Sequence, residues 1–208
     1  MGDGASMRSA ILAGGTASRY GGRAKGLERV GGERILDLLV GRLKAATGAQ
    51  PMLIANAEDA GTWVSGLDVV ADPRPDCGSL GGLYAAVTAG EGSVLVVAWD
   101  MPFVPIKLFE ALMAGATDYD VFLPESTGRR GMEPLCGIYG PACAGPMAEL
   151  LDDEDYQATG FHDAVRVGHL PLDTVRSFGD PEEIFFNVNT PADLTRAEEL
   201  WRERESSR

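Results

Sequence analysis

The sequence predicts a three-layer α/β domain. Short apolar runs alternate with stretches of helical period from residue 9 almost to the C-terminus. One run, Val94–Ala98, has no polar break, which places it at the centre of a parallel sheet and buried on both faces. The first run, Ser9–Ala13, ends in a loop rich in glycine and cations. The chain has 208 residues, enough for one domain with a sizeable core, and is 45% apolar.

That first loop is the chemical centre of the chain. It reads Ile11-Leu12-Ala13-Gly14-Gly15-Thr16-Ala17-Ser18-Arg19-Tyr20-Gly21-Gly22-Arg23-Ala24-Lys25-Gly26-Leu27. Gly14 and Gly15 let the backbone turn and approach a ligand with no Cβ in the way. Arg19, Arg23 and Lys25 stand between the glycines. Converging backbone N–H groups and side-chain cations are the means of holding phosphate. A P-loop is excluded, because Lys25 precedes Gly26 where Gly-Lys-Ser/Thr is needed. A dinucleotide fingerprint is excluded too, because no Gly-x-Gly-x-x-Gly occurs there.

The elements follow in order. Glu33–Ala46 reads as a helix with Ile35, Leu36, Leu38, Leu39 and Leu43 on one broad face, closed by Gly48 and Pro51. Met52–Ala55 is a second strand ending at Asn56, and Glu58–Ser65 a short helix in which Trp63 packs. Asp68–Ala71 is a third strand ending at Asp72-Pro73. A loop from Asp72 to Leu83, containing Cys77-Gly78-Ser79-Leu80-Gly81-Gly82, opens a small-residue helix through Ala89. Ser93–Trp99 is the central strand. It stops at Asp100-Met101-Pro102, where open α/β sheets bind ligands. Asp100 is a hard oxygen donor suited to magnesium; its structural alternative is a helix N-cap.

Ile106–Ala114 is a helix and Val121–Pro124 a strand. Gly128-Arg129-Arg130-Gly131 is a cationic turn, either solvated or meeting an anionic substrate, and Met132–Tyr139 follows as a strand. Ala142–Leu151 is helical, and Asp152-Asp153-Glu154-Asp155 reads as a solvated acidic loop. Residues 156–170 give the least indication of structure. Ile184–Val188 is the last strand, with Asn187 and Asn189 on one side by alternation. Thr190 then caps a final helix to about Glu203, with Pro191 at its first position and Asp193 completing a capping box. A capping role is the alternative for either asparagine.

Composition bounds the function. A net charge of −13 argues against a broad nucleic-acid surface. Residues 1–50 hold eight Lys/Arg against four Asp/Glu, a local +4 that leaves −17 for the rest. An acidic protein with its cations gathered around one glycine-rich loop suits a small anionic ligand there. No apolar run approaches a membrane span. Residues 1–7 read as a disordered start without the apolar core of a signal peptide, although Met1–Ser6 matches the permissive myristoylation pattern. Three scattered cysteines and two histidines suit a cytoplasmic protein with reduced thiols, and neither a disulfide framework nor a zinc site.

The loop from Leu12 to Leu27, taken with later segments, resembles the molybdenum cofactor guanylyltransferases of the nucleotidyltransferase superfamily. The matching segments are Leu12-Ala13-Gly14-Gly15 with Arg19 and Lys25; Gly78-Ser79-Leu80-Gly81-Gly82; Trp99-Asp100-Met101-Pro102; Pro134-Leu135 with Tyr139; and Asn187-Val188-Asn189-Thr190-Pro191. Departures are Ser79 for a proline, Trp99 for a cysteine, and Ala24 where many relatives have Asp. The resemblance implies a Rossmann-like α/β/α nucleotidyltransferase fold with a mostly parallel central sheet, over residues 8–204. It implies GMP transfer from GTP to the terminal phosphate of molybdopterin, with Mg²⁺ and release of pyrophosphate. Leu12, Ala13, Gly14 and Gly15 would frame the nucleotide, Arg19 and Lys25 the triphosphate, and Asn56 and Asp72 the nucleoside. Gly78 joins the nucleotide set, and Asp100 would hold the metal and act with Lys25 and Arg19 in catalysis. Asn187, Asn189, Arg129 and Arg130 fall on the acceptor side. Transient contact with molybdenum-insertion proteins or molybdoenzymes would follow. The alternatives are a cytidylyltransferase or sugar-phosphate nucleotidyltransferase, and a non-catalytic regulatory nucleotide binder. Gly14 in place of alanine favours guanine over the first, and the presence of Lys25 and Asp100 disfavours the second.

Overall fold

A computed structural model describes residues 7–14 and 25–206. The expectations for the first six residues, and for Gly15 and Arg19, lie outside the described residues.

The strands are β1 (Arg8–Leu12), β2 (Arg29–Val30), β3 (Glu33–Arg34), β4 (Met52–Ile54), β5 (Val69–Val70), β6 (Val94–Ala98), β7 (Val121–Pro124), β8 (Cys136–Tyr139) and β9 (Val167–Leu170). The helices are α1 (Ile35–Thr47), α2 (Gly78–Thr88), α3 (Ile106–Gly115), α4 (Ala144–Asp152), α5 (Leu172–Arg176), α6 (Pro181–Ile184) and α7 (Pro191–Ser206). Seven strands form one sheet in the order β5-β4-β1-β6-β8-β7-β9, and β2 and β3 make a separate hairpin. All neighbours in the large sheet pair in parallel except β8, which runs antiparallel to both β6 and β7.

Both faces of the sheet are covered, and alternation along the strands decides which side chain goes where. Ile11, Leu53, Leu95 and Val97 pack beneath α1, α3 and α7 with Leu36, Leu39, Leu108, Phe109, Ala197 and Leu200. Ala10, Leu12, Ile54, Val94 and Val96 pack beneath α2 and α4 with Leu80, Leu83, Cys143, Met147 and Leu151. Every residue of β6 is buried, as its unbroken apolar run requires.

The order of the strands creates the site. From β1 the chain moves to β4 and β5 on one side, then crosses to β6 on the other. Loops leaving β1 and β6 therefore diverge at a topological switch point. Leu12 pairs with Ala98, so Ala13-Gly14 and Trp99-Asp100 leave neighbouring strands at one level. Because β8 is antiparallel, its leading segment, Met132–Leu135, meets the same edge; Ala98 N donates to Leu135 O at 2.8 Å.

Several sequence expectations are corrected. Ile184–Val188 is not a strand: α6 occupies Pro181–Ile184, and Asp180 caps it by accepting from Glu182 N at 3.0 Å, with Pro181 at its first position. The strand alternation invoked for Asn187 and Asn189 goes with it. Glu58–Ser65 forms only a 3₁₀ turn at Ala60–Thr62, with Gly61 inside it weakening any longer helix. The strand expected over Met132–Tyr139 is confined to Cys136–Tyr139, since Pro134 can give no N–H to a ladder. Residues 156–170 contain β9, which closes the sheet against β7. Cys77, Cys136 and Cys143 are free. Among the described residues no helix is long and apolar enough to cross a membrane.

Candidate active site

Lys25 opens a 3₁₀ turn, Lys25–Leu27, that brings the chain back to the edge of the sheet. Two partners fix its ammonium group: Lys25 Nζ donates to Asn189 Oδ1 at 2.7 Å and lies 3.9 Å from Asp100 Oδ2. The side chains of Lys25 and Asp100 are only 16% and 14% exposed, so this pair is shielded from bulk water.

The turn is held from below by Trp99. A Cβ on Gly26 would sit 2.5 Å from the Trp99 ring, so only glycine allows Lys25 this approach. Trp99 in turn stacks on Trp63, with ring centroids 5.4 Å apart and planes 20° from parallel. Trp99 is thus a packing element, as is Trp63.

Asn189 is fixed by the capping box. Thr190 Oγ1 accepts from Asp193 N at 3.2 Å, and Asp193 Oδ2 accepts from Thr190 N at 2.8 Å and from Asn189 N at 3.0 Å. Val188 N donates to Asp100 O at 2.8 Å, which docks this segment onto the loop after β6. Asn189 reaches Lys25; Asn187 instead donates to Phe185 O at 2.9 Å. The two asparagines therefore do different things.

Asp100 is not a helix N-cap, since α3 begins at Ile106 with Pro105 before it. Burial pushes its carboxyl above the ordinary carboxylate range, and the Lys25 charge pulls the other way. A second carboxyl stands close enough to feel it. Burial raises Glu133, a hydrogen bond from the Leu135 backbone opposes that, and the charge of Asp100 adds to the rise. Sequence reasoning passed over Glu133. Its signal is a lone carboxylate in Met132-Glu133-Pro134-Leu135, directly after the cationic turn.

Asn56 and Asp72, at the ends of β4 and β5, clasp each other. Asp72 N donates to Asn56 Oδ1 at 2.7 Å, and Asn56 Nδ2 donates to Asp72 O at 3.4 Å. The Asp72 carboxyl accepts from Arg74 N at 2.8 Å and presses on α2, where a Cβ at Gly81 would lie 2.5 Å from its Oδ2. Burial raises its pKa. Gly78 opens α2 with φ +63°, a conformation that favours glycine. Leu12 turns its side chain into the core and Ala13 is buried, so only their backbone and the exposed Gly14 border the site. Leu12 O and Ala13 N are engaged by Trp99 N and Ile54 O, at 3.2 and 2.9 Å. The acidic loop is tied at one end, because Asp152 pairs with Arg74. Arg129 and Arg130 stand in the wall of a cavity of about 230 Å³ with Ser79, Ser126, Met132, Glu133 and Leu135, a lining that does not include Lys25.

These residues come from the ends of β1, β4, β5 and β6, from the segment entering β8, and from the start of α7. Among the described residues they assemble the Lys25 ammonium, the carboxyls of Asp100, Glu133 and Asp72, and exposed backbone at the carboxyl edge of a mostly parallel sheet. Among the described residues no group of three or more His, Cys, Asp or Glu could hold a metal by itself. Asp100 could supply one oxygen ligand to a hard cation whose remaining ligands are phosphate oxygens and water, which is how magnesium is usually held.

A family model, the MobA-like NTP transferase domain, matches residues 9–166. A protein of Pelotomaculum thermopropionicum called a probable molybdenum cofactor guanylyltransferase is 36% identical over 190 residues, covering 90% of this chain and 89% of its own. A molybdenum cofactor guanylyltransferase of Cereibacter sphaeroides is 33% identical over 198 residues, covering 92% and 95%. The crystal structure of molybdopterin-guanine dinucleotide biosynthesis protein A from Archaeoglobus fulgidus superposes with a TM-score of 0.78 at 26% identity, over 95% of this chain and 100% of that one.

Proposed function

The chain belongs to the MobA-like NTP transferase family and is a nucleotidyltransferase; from that premise we propose that it transfers GMP from GTP to the terminal phosphate of molybdopterin. The observation that carries this reading is the Lys25–Asp100–Asn189 constellation at the switch point of the sheet.

In the reaction, an oxygen of the acceptor phosphate attacks the α-phosphorus of GTP. The bond to the bridging oxygen of the β-phosphate breaks, and pyrophosphate leaves with that electron pair. The attacking phosphate is already ionised, so the chain need not supply a strong base. Its task is orientation and charge neutralisation. Lys25, held by Asn189, presents a fixed positive charge to the triphosphate, and Arg19 belongs to the same task. Asp100 would hold Mg²⁺, which when bound neutralises phosphate oxygens. The exposed Gly14 backbone and the Asn56–Asp72 clasp border the nucleoside. The surrounding loops shield the Lys25–Asp100 pair, and electrostatic interactions are stronger where water is excluded.

The test is product formation. With Mg²⁺ and molybdopterin, GTP is expected to give the guanine dinucleotide and pyrophosphate, whereas ATP, CTP and UTP give little. Faster transfer from CTP would move the chain to a cytidylyltransferase of the same fold. Binding without turnover would favour the regulatory alternative.

A further inference from the structure

The cavity that Glu133 lines is built from unlike parts. Its volume is about 230 Å³. That is below the roughly 300–1,000 Å³ of a pocket enclosing a whole drug-sized ligand, so it suits one ring system of a larger molecule. Met132, Pro134, Leu135 and Ala158 give it apolar walls, Ser79 and Ser126 give hydroxyls, and Arg129 and Arg130 give positive charge. Glu133 is its carboxylate, and the position of that group is fixed twice. Glu133 Oε1 accepts from Leu135 N at 3.1 Å, and Glu133 N donates to Pro124 O at 3.1 Å. Among the described residues its other carboxylate oxygen accepts no hydrogen bond. A half-buried carboxylate between apolar walls calls for a planar ligand that brings its own N–H donors.

We propose that Glu133 binds the adjacent N–H groups of a 2-amino-4-oxopyrimidine ring edge, and that this edge belongs to the pterin of the acceptor. The proposal rests on the guanylyltransferase reading above. Guanine carries the same edge, so the position of the cavity decides between them. Asn56 and Asp72 stand at the ends of β4 and β5, on one side of β1, whereas Glu133 and the Arg129-Arg130 turn connect β7 and β8 on the other. One nucleotide spanning both would leave the acceptor no place at the switch point. Glu133 is therefore a binding residue for the acceptor ring, and Arg129 and Arg130 stand where anionic groups attached to that ring would lie.

The experiment uses the full chain with Mg²⁺ and two soluble probes: pterin, and lumazine, which has a carbonyl in place of the 2-amino group. Binding is followed by quenching of probe fluorescence, for wild type and Glu133→Gln. Glutamine keeps the size of the side chain and an acceptor for Leu135 N. Wild type is expected to favour pterin over lumazine by about tenfold, the effect of one charged hydrogen bond of about 1.4 kcal/mol. Glu133→Gln is expected to abolish that preference with GTP affinity unchanged. Equal binding of both probes by wild type would overturn the proposal, as would a preference that survives in the variant. Binding of GTP and of inosine triphosphate, which lacks the 2-amino group, separates the two sources. Loss of a GTP preference in Glu133→Gln would assign the edge to guanine and overturn the acceptor assignment. If wild type binds no GTP, the guanylyltransferase reading itself has failed; if GTP binds normally and the probes are not discriminated, only the role of Glu133 has.

Discussion

Gly26→Ala is expected to damage the site by displacing the Lys25 turn. The φ of Gly26 lies outside the left-handed range, so the constraint is one of space. The added methyl would lie 2.5 Å from one Trp99 ring carbon and 3.0 Å from a second, well inside van der Waals contact. The ring cannot retreat easily, being buried and stacked on Trp63. Overpacking of this kind costs about 1–3 kcal/mol. For a chain of this length that corresponds to a fall in Tm of roughly 2–12 °C. If the turn yields instead of the ring, Lys25 moves from Asn189 and Asp100, and GTP affinity falls with stability. Trp99→Cys removes the obstacle. By itself it leaves a cavity against Trp63 and costs about 3–5 kcal/mol, by analogy with other large-to-small core changes. The two substitutions are therefore not additive. Gly26→Ala in the Trp99→Cys background is expected to cost at least about 1 kcal/mol less than in wild type. Thermal melts of all four proteins, with calorimetric GTP binding on each, make the measurement. Wild-type stability in Gly26→Ala, or strict additivity across the cycle, would refute the packing account of this loop.

Asn189→Ala removes the hydrogen-bond acceptor that fixes Lys25, and GTP affinity is expected to fall about tenfold, as for a loss of about 1.4 kcal/mol, with only a small change in Tm. Asn187→Ala, which lacks that contact, is expected to leave nucleotide affinity nearly unchanged; calorimetry on both checks the distinction. Asp193→Ala deletes the acceptor for two backbone N–H groups and is expected to cost about 1 kcal/mol in a thermal melt, while loosening Asn189 and weakening GTP binding. Burial raises the folded-state pKa of Asp100, so its ionised form is penalised in the native state and stability is lost as pH rises through that pKa. Asp100→Asn is expected to melt higher than wild type at neutral pH, with the gap closing as pH falls below the native pKa, while transfer activity is lost.

What was legible in the sequence was local. The unbroken apolar run of β6 and the Thr190–Asp193 capping box each carry their cause within a few residues, and each stands as read. On α1, Ile35, Leu36, Leu39 and Leu43 are buried as read, but Val40 takes the buried place read for Leu38, and Glu33-Arg34 pair in β3 instead of opening the helix. The strand read at Ile184–Val188 failed because an apolar run outweighed the helix start Asp180-Pro181-Glu182-Glu183 immediately before it. β9 was missed because its reason for existing is β7, more than forty residues earlier. Gly168 takes part by leaving room for the Tyr119 ring, 2.6 Å from where its Cβ would be, and nothing local signals that. At the candidate site, Lys25 and Asp100 are readable from loop chemistry and resemblance together, and the structure brings their side chains within 3.9 Å. The partnership of Lys25 with Asn189 across 164 positions, and the approach of Glu133 to Asp100, depend on how strands are ordered in the sheet. No short motif records that order.

The most direct test of the central claim is calorimetric titration of GTP, ATP, CTP and UTP with Mg²⁺ into wild type and Lys25→Ala. Selective GTP binding that collapses in the variant is the predicted result. Undiminished GTP binding by Lys25→Ala, or no nucleotide binding by wild type, would contradict the assignment of the Lys25–Asp100–Asn189 constellation as the triphosphate site.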